Sequence, residues 1–577
     1  MGSSICRDSV CRALSVLLAC ATTAAGRSTP AGAAEMKADG PQSSVRAARP
    51  AQGTHDRARA LALDARIQEI LRRPEFRNAR WGMKFYSPST KEVIYSLNSD
   101  QLFNPGSAMK VFIAGTAFTS LGPDYRFHTP VYRTGPVENG VLKGDLVLVA
   151  SGDLLLGGRV QPDGTLALPE RDHTYDMSPD AVPVSANPLR SIEELARQIA
   201  ASGIKRVEGR VLVDASLFRE AKGEAGGIGE ITISPMMIND NLVDVLVTPG
   251  TREGEPGTLR VSPQTAYVKV LNNTRTTAGP PAPPGGMRLM GPGALRFADD
   301  LTNADGSHAV TLTGNIPLGS QPILCAYHVP EPPRFAATLL AEALRAKDVA
   351  ANVDPRAKLD YQALSAFYRP QNRVAELISP PLFDEVKPML KLSSNPHTLH
   401  FPYLVGAIAG HDKVSAPKTG RKLQQELFLK AGVLEGAKTG GELGTDCYSA
   451  DAFIPFLTYM SQQAWFPEYL RALPIMGKDG TVAKVQMNSP AAGHIYAKTG
   501  TAVMMRADSP NADPRHTSVD LAKALAGYIE LPDGRLIVFA EFLDLQGMRG
   551  FKGFAPFDQV MGEIASAVYD SLASRSR

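Results

Sequence analysis

Asn104-Pro105-Gly106-Ser107 leads into Met109 to Phe118, a run that is apolar on every side except at Lys110. Pro and Ser ahead of such a run mark a helix start. A helix that is apolar all round has to be covered on all sides. The chain must therefore wrap this helix in other elements, which calls for a layered domain of some size. Lys110 is the exception inside the run. Burial disfavours an ammonium and makes the neutral, basic amine accessible.

Ser107 and Lys110 are three residues apart, so both face the same way at the helix start. A serine hydroxyl is a weak nucleophile at neutral pH. It needs a base within hydrogen-bond reach and donors for the oxyanion that forms. A desolvated lysine supplies the first, and the helix N-terminus adds positive potential for the second. The spacing alone fits an N-cap serine followed by a surface lysine equally well. Ser-x-x-Lys occurs three times, at Ser107, Ser202 and Ser415. Ser202 precedes Gly203, which suits a helix end. Ser415 has Pro417 inside the spacing, which argues against a helix there. Only Ser107 opens a buried helix.

Two further patterns follow. Ser393-Ser394-Asn395 comes after Val386 to Leu392 and before Pro396, but Ser-x-Asn also occurs at Ser96, Ser185 and Ser509. Lys-Thr-Gly occurs at Lys418, Lys438 and Lys498. Only Lys498 ends a strand-like stretch, His494 to Ala497. Two strands are expected after it, Ala526 to Glu530 and Leu536 to Phe542, around the turn Pro532-Asp533-Gly534. A glycine on an edge strand lets a ligand backbone approach closely. Lys498 and Thr499 beside Gly500 can hold a carboxylate.

With 577 residues the chain is too long for one ordinary core. Net charge is +3, so neither a nucleic-acid partner nor a polybasic membrane patch is indicated. The 10 histidines form no HExxH pattern and no CxxC occurs, so neither a metal site nor a cofactor is expected. Residues 1–34 read as an export signal, with Arg7 and Arg12 ahead of the apolar stretch Ala13 to Ala25. Ala31-Gly32-Ala33-Ala34 offers one cleavage site. Leu17-Leu18-Ala19-Cys20 offers another, with Cys20 as a lipid anchor. Cys325 and Cys447 are the cysteines left beyond this region, and the sequence leaves their pairing open.

Residues 35–60 read as a flexible leader. Apolar spacing predicts a helix over Leu61 to Leu71, then strands at Met83 to Tyr86 and Val93 to Leu97. From 131 to 377 short strand-like pieces recur: Leu146 to Val149, Val207 to Val213, Val243 to Val247, Tyr267 to Leu271 and Val310 to Thr313. Helices are expected at Ser191 to Ala201 and Arg334 to Arg345, and a loop at Gly279 to Gly293. This block reads as mostly β. A final helix is expected from Phe557 to Leu572.

The three motifs in this order resemble those of the penicillin-binding proteins and serine β-lactamases. The wider chain is similar to the low-molecular-mass class C family of D-alanyl-D-alanine carboxypeptidase/endopeptidases. NPGSAMKVFIAGTAFTSLGPDYRFHT (104–129), GDLVLVASGD (144–153), VLVDASLF (211–218), MINDNLVDVLVTPG (237–250), DGTV (479–482) and LAGYIELPDGRLIVFAEF (525–542) carry the likeness. It runs from about residue 60 to 570, and the long interval between Ser107 and Ser393 leaves room for the large insertion of that class. The interval to the third motif singles out Lys498 over Lys418 and Lys438.

The resemblance implies an α+β fold. A transpeptidase-like domain, an antiparallel sheet flanked by helices, would be formed by 61–130 and 378–577 and interrupted by the insertion 131–377. It implies Ser107 as nucleophile, Lys110 as general base, Ser393 as proton relay and Asn395 as a holder of the substrate amide. Lys498 and Thr499 would bind the terminal carboxylate. The backbone N–H groups of Ser107 and Thr501, next to Gly500, would form the oxyanion hole. Peptidoglycan peptides would be substrates, β-lactams inhibitors, and the periplasm or outer envelope the location.

The sequence departs from the family in three places. The family's usual G-S-G-L-S-R stretch corresponds to Gly440 to Ser449 without a clear counterpart for its arginine. The usual G-D-P is Gly152-Asp153-Leu154, where Asp153 is expected to meet a substrate ammonium. Met505 to Lys523 reads as an inserted loop. Two other functions fit parts of the pattern: a peptidoglycan-binding scaffold, or a β-lactamase or esterase on the same core. Those last enzymes lack the long insertion.

Overall fold

The computed structural model describes residues 54–178, 180–226, 229–279, 293–354, 359–433, 437–438, 446–506, 518–549 and 553–573. The export signal with Cys20 and residues 35–53 of the leader lie outside the described residues. So do the heart of the 279–293 loop and residues 440–445 and 507–517 of the two stretches that depart from the family. Residues 54–60, expected as part of the flexible leader, instead open the helix Thr54–Leu71.

A five-stranded antiparallel sheet organises the molecule. In chain order, the strands of this sheet and helices of its domain are labelled α1 (Thr54–Leu71), β1 (Arg80–Ser87), β2 (Glu92–Leu97), α2 (Lys110–Leu121), α3 (Asn395–Ile408), α4 (Ala450–Ser461), β3 (Ile495–Arg506), β4 (Ser518–Glu530), β5 (Leu536–Met548) and α5 (Ala555–Ala573). The sheet order is β2-β1-β5-β4-β3. Sequence-distant β1 pairs with β5, in the register Phe85 to Phe539, and this closes the two halves of the chain into one layer.

The continuous apolar reading of β5 follows from helices on both faces. Phe539 and Leu543 pack with Ile67 and Ile70 of α1 and Ile564 and Val568 of α5. Ala540 and Phe542 point the other way, onto Phe112 of α2 and Phe453 and Phe456 of α4. Phe112 meets Phe453 with ring centroids 4.4 Å apart. As its composition requires, α2 is enclosed: every residue from Lys110 to Phe118 is buried.

The chain leaves this domain after α2 and returns before α3. The excursion holds a larger mixed sheet in the order Arg373–Ile378, His128–Arg133, Leu146–Val149, Arg206–Asp214, Val141–Leu142, Val137–Glu138. The helices expected near 191 and 334 appear as Arg190–Ala201 and Pro332–Arg345, and both pack on this sheet. Two three-stranded sheets follow, centred on Leu242–Thr248 and His308–Pro317, with a shared core of Val245, Val247, Leu312 and Ile316. Cys325 belongs to that core, whereas Cys447 lies beside α4, so the two do not bridge to each other.

Two local expectations are corrected. Ser415 does precede a helix, Ala416–Lys430, because Pro417 occupies the first turn, where a missing N–H costs nothing. The strand expected to end at Lys498 runs through Lys498-Thr499-Gly500 to Arg506, held by pairing with the whole of β4.

Candidate active site

The segment expected to carry the nucleophile forms a short 3-10 turn, Gly106–Met109, that runs straight into α2. Gly106 adopts φ +48, and its N–H donates to Asn104 Oδ1 at 2.9 Å. The turn lies against β3, the edge strand of the sheet. A Cβ on Gly500 would sit 1.9 Å from Pro105 O, and one on Gly106 would sit 2.6 Å from Thr501 N. Both glycines are therefore required by the close approach of two backbones. This contact brings Ser107, which is half-buried, beside Lys498 to Thr501.

Lys110 is fully buried. Its Nζ donates to Ser393 O at 2.5 Å, Ser393 Oγ at 3.1 Å and Asn395 Oδ1 at 2.7 Å. Burial first, and then the charge of Lys498, hold this amine well below the ordinary lysine range. Lys498, also fully buried, donates to Ser393 Oγ at 2.9 Å. Burial and the neighbouring charge of Lys523 bring it down to about 7, against the opposing pull of Asp558. Two amines thus converge on one serine hydroxyl, and Asn395 closes the cluster. Asn395 Nδ2 donates to Ala225 O at 2.8 Å, which orients its amide.

Ser393 itself adopts φ +63, an uncommon conformation for a residue with a side chain. Ser394 beside it caps α3 by accepting from the His397 N–H at 3.4 Å, and its hydroxyl meets His397 Nδ1 at 2.8 Å. Pro396 fits the first turn of that helix.

Thr499 Oγ1 pairs with Thr481 Oγ1 at 2.7 Å, and Lys523 Nζ donates to Thr501 Oγ1 at 2.8 Å. Neither partner was singled out as a site residue by motif. Thr481 lies in the DGTV stretch, outside the three motifs. Nothing local marks Lys523.

Asp153 is placed differently from expectation. It is 2% exposed, accepts from the Leu155 N–H at 2.8 Å and pairs with the carboxyl of Glu385. Burial raises it to about 6. Its carboxyl faces Glu385.

Beneath the Ser393 loop lies a buried ionic cluster. Arg159 Nη2 meets Asp172 Oδ2 and Asp240 Oδ2 at 2.5 and 2.6 Å, and His173 lies between Asp240 and Asp244. Asp172, His173 and Asp240 are close enough together to ligate a metal. The Arg159 guanidinium already occupies that place as the cation.

A sequence model of the D-Ala-D-Ala carboxypeptidase 3 (S13) family matches residues 63–562. The chain belongs to that family. This S13 chain is 24% identical over 513 residues to a D-alanyl-D-alanine carboxypeptidase from an Actinomadura species, covering 85% of this chain and 82% of that one. It is 22% identical over 449 residues to penicillin-sensitive carboxypeptidase A of Dictyostelium discoideum, covering 73% and 77%. Its fold matches penicillin binding protein 4 of Haemophilus influenzae with a TM-score of 0.62 at 17% identity, covering 87% of this chain and 99% of that one. The S13 enzyme is thus a serine-type D-Ala-D-Ala carboxypeptidase on an α+β, transpeptidase-like fold. No helix among the described residues is long and apolar enough to cross a membrane.

Proposed function

We propose that this enzyme cleaves the D-Ala-D-Ala bond of peptidoglycan stem peptides, and cross-links of the same chemistry, through an acyl-enzyme on Ser107. The observation that carries the reading is the buried Lys110 amine, one turn after Ser107 and hydrogen-bonded to Ser393 and Asn395. Burial holds this amine well below the ordinary lysine range, which favours its neutral form and so its use as a proton acceptor. Ser107 Oγ attacks the carbonyl carbon of the penultimate D-alanine, and its proton passes to Lys110. The backbone N–H groups of Ser107 and Thr501 receive the oxyanion. The C–N bond breaks, and the departing amine takes a proton through Ser393, which both lysines touch. Water then hydrolyses the ester and regenerates Ser107.

Lys498 and Thr499 bind the terminal carboxylate, and Asn395 holds the amide of the acyl side. A β-lactam enters as a mimic of D-Ala-D-Ala and stops at the ester. The basic and apolar pattern of residues 1–34 supports export, so the enzyme works outside the cytoplasm.

The test is the intact mass of the mature protein after benzylpenicillin, with peptide mapping. A stoichiometric adduct on the peptide bearing Ser107, absent in Ser107→Ala, is the expected result. A folded protein with no adduct and intact drug would turn the reading toward a binding or scaffold role. Drug consumed without an adduct would mean a β-lactamase.

A further inference from the structure

The Ser393 loop is held by an element from far outside the catalytic sheet. Residues 172–177 of the inserted block form a short turn, His173–Tyr175, and Tyr175 projects from it to the loop. Tyr175 Oη donates to Leu392 O at 2.5 Å and also reaches the Ser393 hydroxyl. We propose that Tyr175 is a positioning residue for catalysis, a clamp from the inserted block that fixes Ser393 in its left-handed conformation between the two lysines.

Ser393 carries φ +63, which a residue with a Cβ keeps only when its surroundings dictate it. Both carbonyls flanking its φ and ψ bonds are tied down. Tyr175 holds Leu392 O, and Lys110 holds Ser393 O. The lysine contact is part of the chemistry and changes as the proton moves, whereas the tyrosine contact does not titrate. Burial pushes the phenol above its usual range, so it remains a donor wherever the enzyme works.

The turn that carries Tyr175 is built not to move. Asp172 accepts from the Thr174 N–H at 3.0 Å and from Thr174 Oγ1 at 2.6 Å, and its other oxygen takes Arg159. The Tyr175 N–H donates to Asp172 O at 3.0 Å, and the Met177 N–H donates to Leu324 O at 2.7 Å. From the far side His397, which Ser394 engages, lies 3.4 Å from Asp240 of the same ionic cluster. The cluster thus braces both ends of the Leu392–Ser394 segment.

The inference rests on Ser107 and Ser393 acting as proposed above. It is tested with Tyr175→Phe in the full mature chain, which removes one hydroxyl and keeps the ring. The rate constant for acylation by benzylpenicillin, and kcat and KM for a D-Ala-D-Ala peptide, are measured beside the thermal midpoint. Misplacing a proton relay costs about ten- to a hundredfold, so that loss is expected in acylation and kcat, with KM little changed. Filling space would not give this split. Thr174→Val, which loosens the Asp172 cap without touching Tyr175, should give a smaller loss in the same direction and serves if Tyr175→Phe misfolds. Folded variants with acylation and kcat within twofold of the parent would overturn the proposal. A parent protein that forms no Ser107 adduct would instead overturn the reading on which it rests.

Discussion

At the scale of single residues, the proposed chemistry depends on two lysines whose environments differ from water in the same direction. Burial and then the charge of Lys498 hold Lys110 well below the ordinary lysine range, while burial and Lys523 bring Lys498 to about 7. If the Lys498 ammonium receives the substrate carboxylate, its deprotonation in the free enzyme should lower kcat/KM above about pH 7. Lys523→Met removes a like charge and leaves Asp558 to favour the ammonium, so that alkaline limb should move to higher pH. A pH–kcat/KM profile of the two proteins checks this, and superimposable limbs would take Lys498 out of it. Lys110→Met should reduce acylation by about 10²- to 10⁴-fold, the usual contribution of a positioned base. The benzylpenicillin adduct measured against time reads this directly. Ser107, Lys110, Ser393, Asn395 and Lys498 were legible because each sits in a short pattern of fixed spacing. Tyr175, Thr481 and Lys523 were not, because each reaches the cluster from an element whose own sequence has no reason to announce it.

At the scale of elements, two features of the central sheet carry opposite consequences. Gly500 lies where β3 meets the Gly106–Met109 turn, and its would-be Cβ stands 1.9 Å from a backbone oxygen that cannot rotate away. Gly500→Ala should therefore cost about 1–3 kcal/mol, as overpacking does, and should lower acylation as well, since the displaced turn carries Ser107. A denaturant melt and an acylation assay on the same preparation test both halves. Glu541 on β5 is the reverse case, a residue that weakens its element. It is fully buried, and neither carboxyl oxygen has a hydrogen-bond partner among the described residues. Burial drives its pKa well above the ordinary glutamate range. The folded state then holds a proton that the unfolded state releases, so stability falls as pH rises above that ordinary range. Glu541→Leu should add about 1–3 kcal/mol by removing the unsatisfied group, with a larger gain at pH 8 than at pH 5. Strand existence was legible here from apolar runs, but strand ends were not. The strand expected to end at Lys498 continues to Arg506, because cross-strand pairing with β4 decides the matter.

At the scale of the whole molecule, the inserted block and the catalytic domain are joined through buried polar groups around α3. The strand pieces of the block could be read from sequence. Their order could not, because pairs such as Leu146–Val149 with Arg206–Asp214 are parallel and depend on contacts far along the chain. The polar junction was equally hidden, since lone histidines carry no pattern. His400 shows what the junction does. Its Nδ1 lies 2.7 Å from Pro396 O, and its Nε2 accepts from the Ser234 N–H of the inserted block at 3.2 Å. Only the neutral ring can do both, and burial holds it down to about 4. His397, buried beside it, is also held at about 4 by burial, against the pull of Asp240. Unfolding frees both rings to bind protons near pH 6.5, so stability should be complete above that pH and should fall as pH drops toward 4. The loss would act on the seam itself. A proton on His400 Nε2 faces the Ser234 N–H, donor against donor, on the helix that begins at Asn395. Acid should therefore lower the thermal midpoint and the acylation rate together. His400→Leu should start less stable at neutral pH, having lost both bonds, yet lose less between pH 6.5 and 4. Thermal melts of parent and variant across that range decide it: parallel declines would mean that the seam does not titrate through His400.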